Sequence, residues 1–312
     1  MVHVLHITNG ESVVEGFRQG SLSGEYLSWI DVLHEGPVPL CSTLEELSRI
    51  RGRFIAAIGW DTHERRHATF AERNCTLQSF REHEDVVLWF EHDLFDQLQL
   101  IQLLDWFASH EAGSTKLSLI QAGTYLGSLT GVELLALLPS RQEVTTQQLA
   151  LGHQAWHAFC APNPSGLSGL AAQDFAALPY LASALRRFLE EYPSTRDGLS
   201  RTEQQLLRAA ASGHEKREQI YFAAGKSEKA IFMGDSSVYL RLERLADGPA
   251  PALERLPRNS YRITNHGRKL LAGEADWIRD RGGIDLWLGG VHLHGADAAW
   301  RWDADRKALR AA

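Results

Sequence analysis

The segment that organises this chain is residues 85–106, DVVLWFEHDLFDQLQLIQLLDW. A short apolar run ends abruptly in Glu91, His92 and Asp93, and the pattern of an amphipathic helix follows at once. A buried strand that delivers charged groups at its carboxyl end is how open α/β sheets build sites. The segment therefore predicts a strand at residues 86–90, a helix after it, and a functional site where the two meet.

The sequence around this segment repeats the strand-then-helix pattern. Three more strand candidates occupy residues 2–8, 25–32 and 116–121, and helical patterns lie between them. Strands that alternate with helices favour parallel pairing through right-handed crossovers. The predicted fold class is therefore α/β, with a Rossmann-like, mostly parallel sheet in an N-terminal domain at residues 1–142.

The rest of the chain has a mainly helical character. The predicted parts are a helical connector at residues 143–196, a winged-helix-like domain at 197–280 and a C-terminal strand or hairpin extension at 281–312. LSRTEQQLL, which starts at Leu199, has the spacing of a capping box. YRITNHGRKLL, which starts at Tyr261, joins a short strand to a helix. These two segments resemble the opening helix and the wing of MarR-like and PadR-like regulators, and the Pro-rich stretch at 249–258 is expected to be a loop.

Composition excludes several classes of protein. The 312 residues carry a net charge of -7 and 44% hydrophobic residues, which is an ordinary globular composition that argues against a broadly basic nucleic-acid surface. No apolar run approaches the roughly 20 residues that a membrane helix needs, and the N-terminus lacks the pattern of a signal peptide. The 3 cysteines form no metal-binding pair and no disulfide framework. We expect a cytoplasmic protein without a membrane partner.

The predicted strand ends carry a dense set of acids and imidazoles. If the strands are parallel, these ends share one edge of the sheet. The candidate catalytic residues are Asp31, His34, Glu91, His92 and Asp93. The candidate ligand-binding residues are His6, Thr8, Asn9, Gly10, Glu35, Gly36, Gln97 and Gly123.

Each type of residue suggests a role. His92 or His34 would act as a general base, because histidine titrates near physiological pH, and Asp31 or Asp93 would orient it. The turn after the first strand places free backbone N–H groups at a helix start, where they can hold an anion. Asp93 also has a plain alternative role as the N-cap of the next helix.

The sequence predicts no metal site and no identifiable cofactor. The acid and imidazole set suits a divalent metal in principle, but no metal-binding motif is present. His153 and His157 are four residues apart on a predicted helix, and the third ligand that a metal would need is not apparent. A solvated helix face is the expected explanation for this pair.

Basic residues in the winged-helix-like part are candidates for contact with nucleic-acid phosphates. They are Arg241, Arg244, Arg262 and Arg268. The alternative is that the winged helix serves as a packing or dimerisation module. The acidic net charge of the chain makes this alternative as plausible as phosphate binding.

The N-terminal part resembles a bacterial family known as domain of unknown function 1835. The resemblance rests on HVLHITNGES at residues 3–12, WIDVLHEGPVP at 29–39, the region of Arg51 and Phe54, and the run at 86–107. It covers about the first 125 residues. The resemblance implies a small α/β domain and emphasises the same strand ends, without implying an activity.

The leading functional expectation is a protein whose α/β domain binds a small anionic ligand, such as a nucleotide or phosphorylated metabolite. If the chain is an enzyme, we expect hydrolysis or group transfer. One alternative is a ligand-responsive regulator that binds DNA through the winged helix, and another is a non-catalytic interaction scaffold.

Overall fold

The computed structural model describes residues 3–311. The first half contains, in chain order, β1 (Val4–Thr8), α1 (Glu11–Gln19), β2 (Glu25–Ser28), β3 (Gly36–Pro37), α2 (Leu44–Ala57), α3 (His63–Gln78), β4 (Asp85–Glu91), α4 (Leu94–Ala108), β5 (Lys116–Ala122), α5 (Gly131–Leu137), β6 (Gln142–Glu143) and α6 (Thr146–Cys160). The second half contains α7 (Ser165–Ala171), α8 (Leu181–Leu189), α9 (Arg201–Ala211), α10 (Arg217–Gly225), α11 (Asp235–Leu245), β7 (Leu253–Leu256), β8 (Ser260–Ile263), α12 (Asn265–Ala272), α13 (Trp277–Asp280), β9 (Ile284–Gly289), β10 (Val291–Gly295), β11 (Trp300–Asp303) and β12 (Ala308–Ala311).

The main sheet has the strand order β2-β1-β4-β5-β6. The strands β2, β1, β4 and β5 are parallel to one another, and the short edge strand β6 runs antiparallel to β5. All seven residues of β4 are buried, as expected for a strand covered on both faces. The predicted α/β fold with a mostly parallel sheet is therefore confirmed. The first strand was predicted to begin at Val2, which lies outside the described residues.

Alternating side chains of β4 pack into two separate hydrophobic cores. Val87 and Trp89 point to a small core that includes Val13 and Phe17 of α1. Val86, Leu88 and Phe90 point to a larger core that includes α4 and α6. Because successive strand residues face opposite sides, one strand supplies both layers.

The strand β2 ends at Ser28, four residues earlier than predicted. The backbone N–H of Trp29 still donates to the carbonyl of Thr8 at 2.8 Å, but Ile30 has a positive φ of 25° that turns the chain away. Trp29 is fully buried, and its indole N–H donates to Gln102 at 2.7 Å. This anchoring redirects the chain into a loop that leads to β3.

A second sheet pairs a strand of the N-terminal part of the chain with two strands of the C-terminal part. Its strand order is β10-β9-β3, with β3 parallel to β9 and β9 antiparallel to β10. The prediction placed a hairpin here but not its pairing with the loop after β2. The strands β11 and β12 form a further hairpin.

The second half contains three consecutive helices, α9, α10 and α11, followed by the β7–β8 hairpin and α12. The strand β7 lies within the Pro-rich stretch that was predicted to be a loop, so that prediction is wrong. The register pairs Leu253 with Ile263, and both side chains are buried. Burial of these apolar residues outweighs the turn character of the neighbouring prolines. Within residues 3–311, no helix combines the length and apolar character needed to cross a bilayer.

Candidate functional site

The strands β1, β4 and β5 bring several predicted residues to one edge of the sheet. Asn9 follows β1, and its side-chain amide donates to Asp96 Oδ2 at 2.7 Å and to Glu91 Oε1 at 3.4 Å. Glu91 ends β4, and Asp96 lies in the first turn of α4. The predicted convergence of the β1 and β4 ends is thus present as direct contact.

Three carboxylates form the centre of this edge. Glu91, Asp93 and Asp96 each offer an oxygen atom, and these atoms lie within 4.8 Å of one another. The residues are only 3%, 4% and 0% exposed. Asp96 was not among the predicted site residues, although its position three residues after Asp93 places the two on one helix face.

Backbone groups hold these carboxylates in place. The N–H of Leu126, after β5, donates to Glu91 at 2.7 Å. The N–H of Glu91 donates to Asp96 at 2.8 Å, and the N–H of Asp96 donates to Asp93 at 3.2 Å. Asp93 is therefore the N-cap of α4, as its alternative role required. Gln97 donates to the carbonyl of Glu91 at 2.7 Å.

Burial raises the pKa of all three carboxyl groups, because the charged forms lose contact with water. For Asp93 burial is the largest cause, the charge of Glu91 adds to it, and the pKa reaches about 7. For Asp96 burial again comes first, followed by the charges of Asp93 and Glu91. Negative charge on all three carboxylates at once is therefore unfavourable at this edge unless a proton or a cation offsets it.

His92 is the most accessible of the predicted catalytic residues. Its ring centroid lies 5.0 Å from that of Tyr125 and 6.0 Å from that of Tyr180. Partial burial lowers its pKa below the ordinary value. The hydroxyl of Tyr180 also lies beside Gly123, where an added Cβ would come within 2.9 Å of it. His92 and Gly123 therefore border the carboxylates on the β5 side.

The turn between β1 and α1 is open. Gly10 is the N-cap of α1, and no side chain caps the first turn of this helix within residues 3–311. A Cβ placed at Gly10 would meet no described atom within 4 Å. The first N–H groups of α1 therefore remain free to meet a ligand, as the sequence predicted. Two of the predicted residues on β1 point inward instead: Thr8 is fully buried, and His6 accepts from Trp89 within the smaller core.

The loop after β2 does not supply the predicted acid and base. Asp31 is bound to Arg51, whose Nη2 lies 2.9 Å from it, and both side chains are buried. Arg51 also donates to the carbonyls of Glu35 and Val32 at 2.6 and 2.8 Å. Asp31 and Arg51 therefore shape the loop. Gly36 has a φ of +73° and lies against the ring of Phe54, which any Cβ would strike.

His34 is buried in a different environment from His92. It is 2% exposed, its ring packs edge-on against Phe232 with centroids 5.1 Å apart, and Ser237 is its polar neighbour at 3.4 Å. Burial lowers the pKa of His34 to about 4. It is therefore neutral and inaccessible at physiological pH, which does not suit the predicted role of general base.

Glu35 belongs to a buried network of charges between the two halves of the chain. Its carboxylate accepts from Arg241, and Arg241 also binds Glu191 at 3.2 Å. Glu191 in turn accepts from Arg187 at 2.7 Å. Although burial alone would raise it, these two arginines hold the pKa of Glu191 at about 2. The sequence offers no local signal for a contact between residues 206 positions apart.

The four predicted nucleic-acid residues do not form one exposed surface. Arg241 is 4% exposed and committed to Glu35 and Glu191. Arg244 is partly buried on the same helix, whereas Arg262 and Arg268 are exposed elsewhere, with Arg262 bound to Glu215 at 3.1 Å. Burial removes Arg241 from contact with any phosphate in solvent.

The helix pair α4 and α6 explains the two histidines four residues apart. Asp105 of α4 lies 2.6 Å from His153 and 3.5 Å from His157 of α6. Asp105 supplies the third group that the sequence did not reveal. The three exposed or half-exposed groups join the two helices as a surface polar cluster.

No protein-family model matches the chain, and no curated protein matches it. The resemblances to domain of unknown function 1835 and to MarR-like and PadR-like regulators stay predictions. The geometry of Glu91, Asp93 and Asp96 is therefore the main guide to function.

Proposed function

We propose that the edge formed by Asn9, Gly10, Glu91, Asp93 and Asp96 binds a small phosphorylated molecule together with a divalent cation. The observation that carries the proposal is the approach of three buried carboxylates to within 4.8 Å of one another. We call these residues the carboxylate edge.

A cation resolves the electrostatics of this edge. Three buried carboxyl groups cannot all be ionised at low cost. Beyond burial, the charge of Glu91 raises the pKa of Asp93, and the charges of Asp93 and Glu91 raise that of Asp96. A divalent ion would replace the shared protons and favour the ionised forms. Carboxylate and amide oxygens are the ligands that Mg²⁺ and Mn²⁺ prefer, and Asn9 and Gln97 stand beside the carboxylates.

The phosphorylated group would occupy the open turn at Gly10. The first N–H groups of α1 lack a side-chain cap there, and a helix start attracts an anion. The flanking strand order β2-β1-β4 also supports the proposal, since doubly wound sheets bind ligands where neighbouring strands connect in opposite directions. The same order supports the prediction of a Rossmann-like domain.

If the ligand is turned over, His92 is the residue best placed to move a proton. It is the only predicted catalytic side chain that is partly exposed, and it directly precedes Asp93 in the chain. Hydrolysis or group transfer with His92 as general base is the reaction class that follows. His34 and Asp31 have no part in this proposal, because they are buried in other contacts.

A DNA-binding regulator is the weaker candidate. The helix order of α9 to α12 with its hairpin supports a winged helix, but Arg241 on the third helix packs against Glu35 of the N-terminal half. A recognition helix must be exposed to enter a groove.

Thermal unfolding tests the proposed function. The melting temperature of the EDTA-treated protein is measured with Mg²⁺ or Mn²⁺, with and without AMP as a phosphorylated probe. We expect two effects: each metal stabilises the protein, and AMP adds more stability in the presence of metal than in EDTA. Asp96→Asn should abolish both effects.

Asp85→Asn is the matched control. Asp85 is also a buried carboxylate of β4, but it lies at the opposite end of the strand, bound to Ser118 at 2.8 Å. This variant should keep the metal response. The proposal fails if neither metal raises the melting temperature of the native protein. It also fails if the metals change the melting temperatures of Asp96→Asn and Asp85→Asn equally.

A further inference from the structure

A second candidate binding site lies far from the carboxylate edge in sequence. A cavity of about 390 Å³ opens between the start of α9, the helices α11 and α13, and the strand β9. Its polar lining includes Glu203, Arg241, Arg244 and Arg281. Its apolar lining includes Trp277 and Leu286. The volume lies within the range of about 300–1,000 Å³ that is typical of small-molecule sites.

Two guanidinium groups of this cavity have no carboxylate partner among residues 3–311. Arg244 makes no side-chain hydrogen bond or ion pair within residues 3–311, although it is partly buried. Arg281 stacks over Trp277 at 4.6 Å and reaches only the carbonyl of Arg244, at 3.5 Å. Arg241, by contrast, is satisfied by Glu35 and Glu191.

The acidic groups of the lining do not neutralise this pair. Glu191 is held by Arg187 and Arg241. Asp285 is largely exposed and pairs with His292 at 2.7 Å. Glu203 accepts the backbone N–H of Ser200 at 2.8 Å as part of the cap of α9. Among the lining carboxylates that are not exposed, Glu203 is thus the one left to offset the charges of Arg244 and Arg281.

An anion would complete the cavity. Burial lowers the pKa of Arg244, and the nearby charges of Arg241 and Arg281 act in the same direction, while Glu35 and Glu203 oppose them. A guanidinium stripped of water and beside like charges gains most from a fixed oxyanion. Its planar donors match phosphate or carboxylate oxygens in pairs.

We propose that this cavity binds a small organic phosphate monoester. Its phosphate would lie between Arg244 and Arg281, and its apolar body would rest against Trp277 and Leu286. The site is independent of the proposed function, because it contains none of the carboxylate-edge residues and needs no metal.

Calorimetric titration of the full chain tests this proposal. The probes are phenyl phosphate and inorganic phosphate, titrated in EDTA at constant ionic strength so that the carboxylate edge cannot contribute through a metal. We expect phenyl phosphate to bind about tenfold or more tightly than inorganic phosphate, because only the former covers the apolar wall. Arg281→Met and Arg244→Met should each weaken phenyl phosphate by about tenfold or more.

Arg262→Met is the matched control, since Arg262 is exposed and lies outside the cavity lining. Its binding should equal that of the native protein. Circular dichroism checks that each variant is folded. Arg281 and Arg244 are both partly buried, so the two variants test the site independently if one of them does not fold. The proposal is overturned if neither probe binds, if phenyl phosphate binds no better than phosphate, or if the Arg281 and Arg262 variants bind equally.

Discussion

The contact between Glu35 and Arg241 offers a quantitative test of how the two halves of the chain are joined. Arg241→Met keeps an apolar stem of similar length but removes the guanidinium. Glu35 then remains buried without a cation, because its side chain is only 2% exposed. Removing one partner of a buried pair typically costs about 3–5 kcal/mol, so Arg241→Met should lower the free energy of unfolding by about that amount.

The double variant separates this pair from general disruption of the core. Adding Glu35→Gln to Arg241→Met removes the stranded charge, so the double variant should lose about 1–3 kcal/mol less than the sum of the two single losses. Urea unfolding followed by circular dichroism supplies the three free energies. Arg255→Met is the control, because Arg255 pairs with Glu243 at 2.6 Å while both are about half exposed. That change should cost less than about 1 kcal/mol.

Two outcomes would refute this reasoning. If Arg241→Met costs no more than Arg255→Met, the helix α11 does not pack against the α/β part in solution. If the two single losses simply add, Glu35 and Arg241 do not interact. A free α11 would restore the DNA-binding interpretation.

Three further predictions concern pH and packing. Without metal, the raised pKa of Asp93 means that the folded state keeps a proton that the unfolded state releases between pH 3.8 and about 7. The protein should therefore lose about 4 kcal/mol of stability through this group as pH rises across that window. Asp93→Asn, which keeps the N-cap, should flatten this pH dependence of stability in urea unfolding. His34 acts in the opposite direction, because only the unfolded state binds a proton at this residue between pH 6.5 and about 4. The protein should lose about 3 kcal/mol of stability through His34 as pH falls across that window. His34→Gln should remove that loss in the same assay. Gly290→Ala should cost about 3 kcal/mol or more in thermal unfolding, because its Cβ would lie 1.8 Å from the carbonyl of Cys160, whereas Gly169→Ala in α7, with no atom within 4 Å, should be neutral or stabilising.

Local patterns predicted the elements of the carboxylate edge well. The apolar run that ends in Glu91 and Asp93 became a fully buried strand and a capped helix. Parallel pairing then brought Asn9 to the same edge, as expected for adjacent strand ends. Asp96 was missed because its helical spacing from Asp93 is equally typical of a solvated first turn.

Other parts of the predicted site depended on contacts that no local pattern contains. Asp31 and His34 follow β2, which ends earlier than predicted, and the chain turns at Ile30 and buries them. Arg51 forms a buried ion pair with Asp31, and Phe232 packs against the ring of His34. Their chemistry changed because burial and partners, not residue type, set whether a group is charged and accessible.

The sequence by itself determined the order of the four parallel strands, the helices between them and the acidic end of β4. These features follow from side-chain periodicity and capping, which act over a few neighbouring residues. Only the tertiary structure decided which acids share an edge, which arginines are paired and which two of a cavity lack a carboxylate partner in the described part of the chain. Electrostatic and packing energies depend on distance in space, and the chain brings Glu35 and Arg241 together from positions that are 206 residues apart.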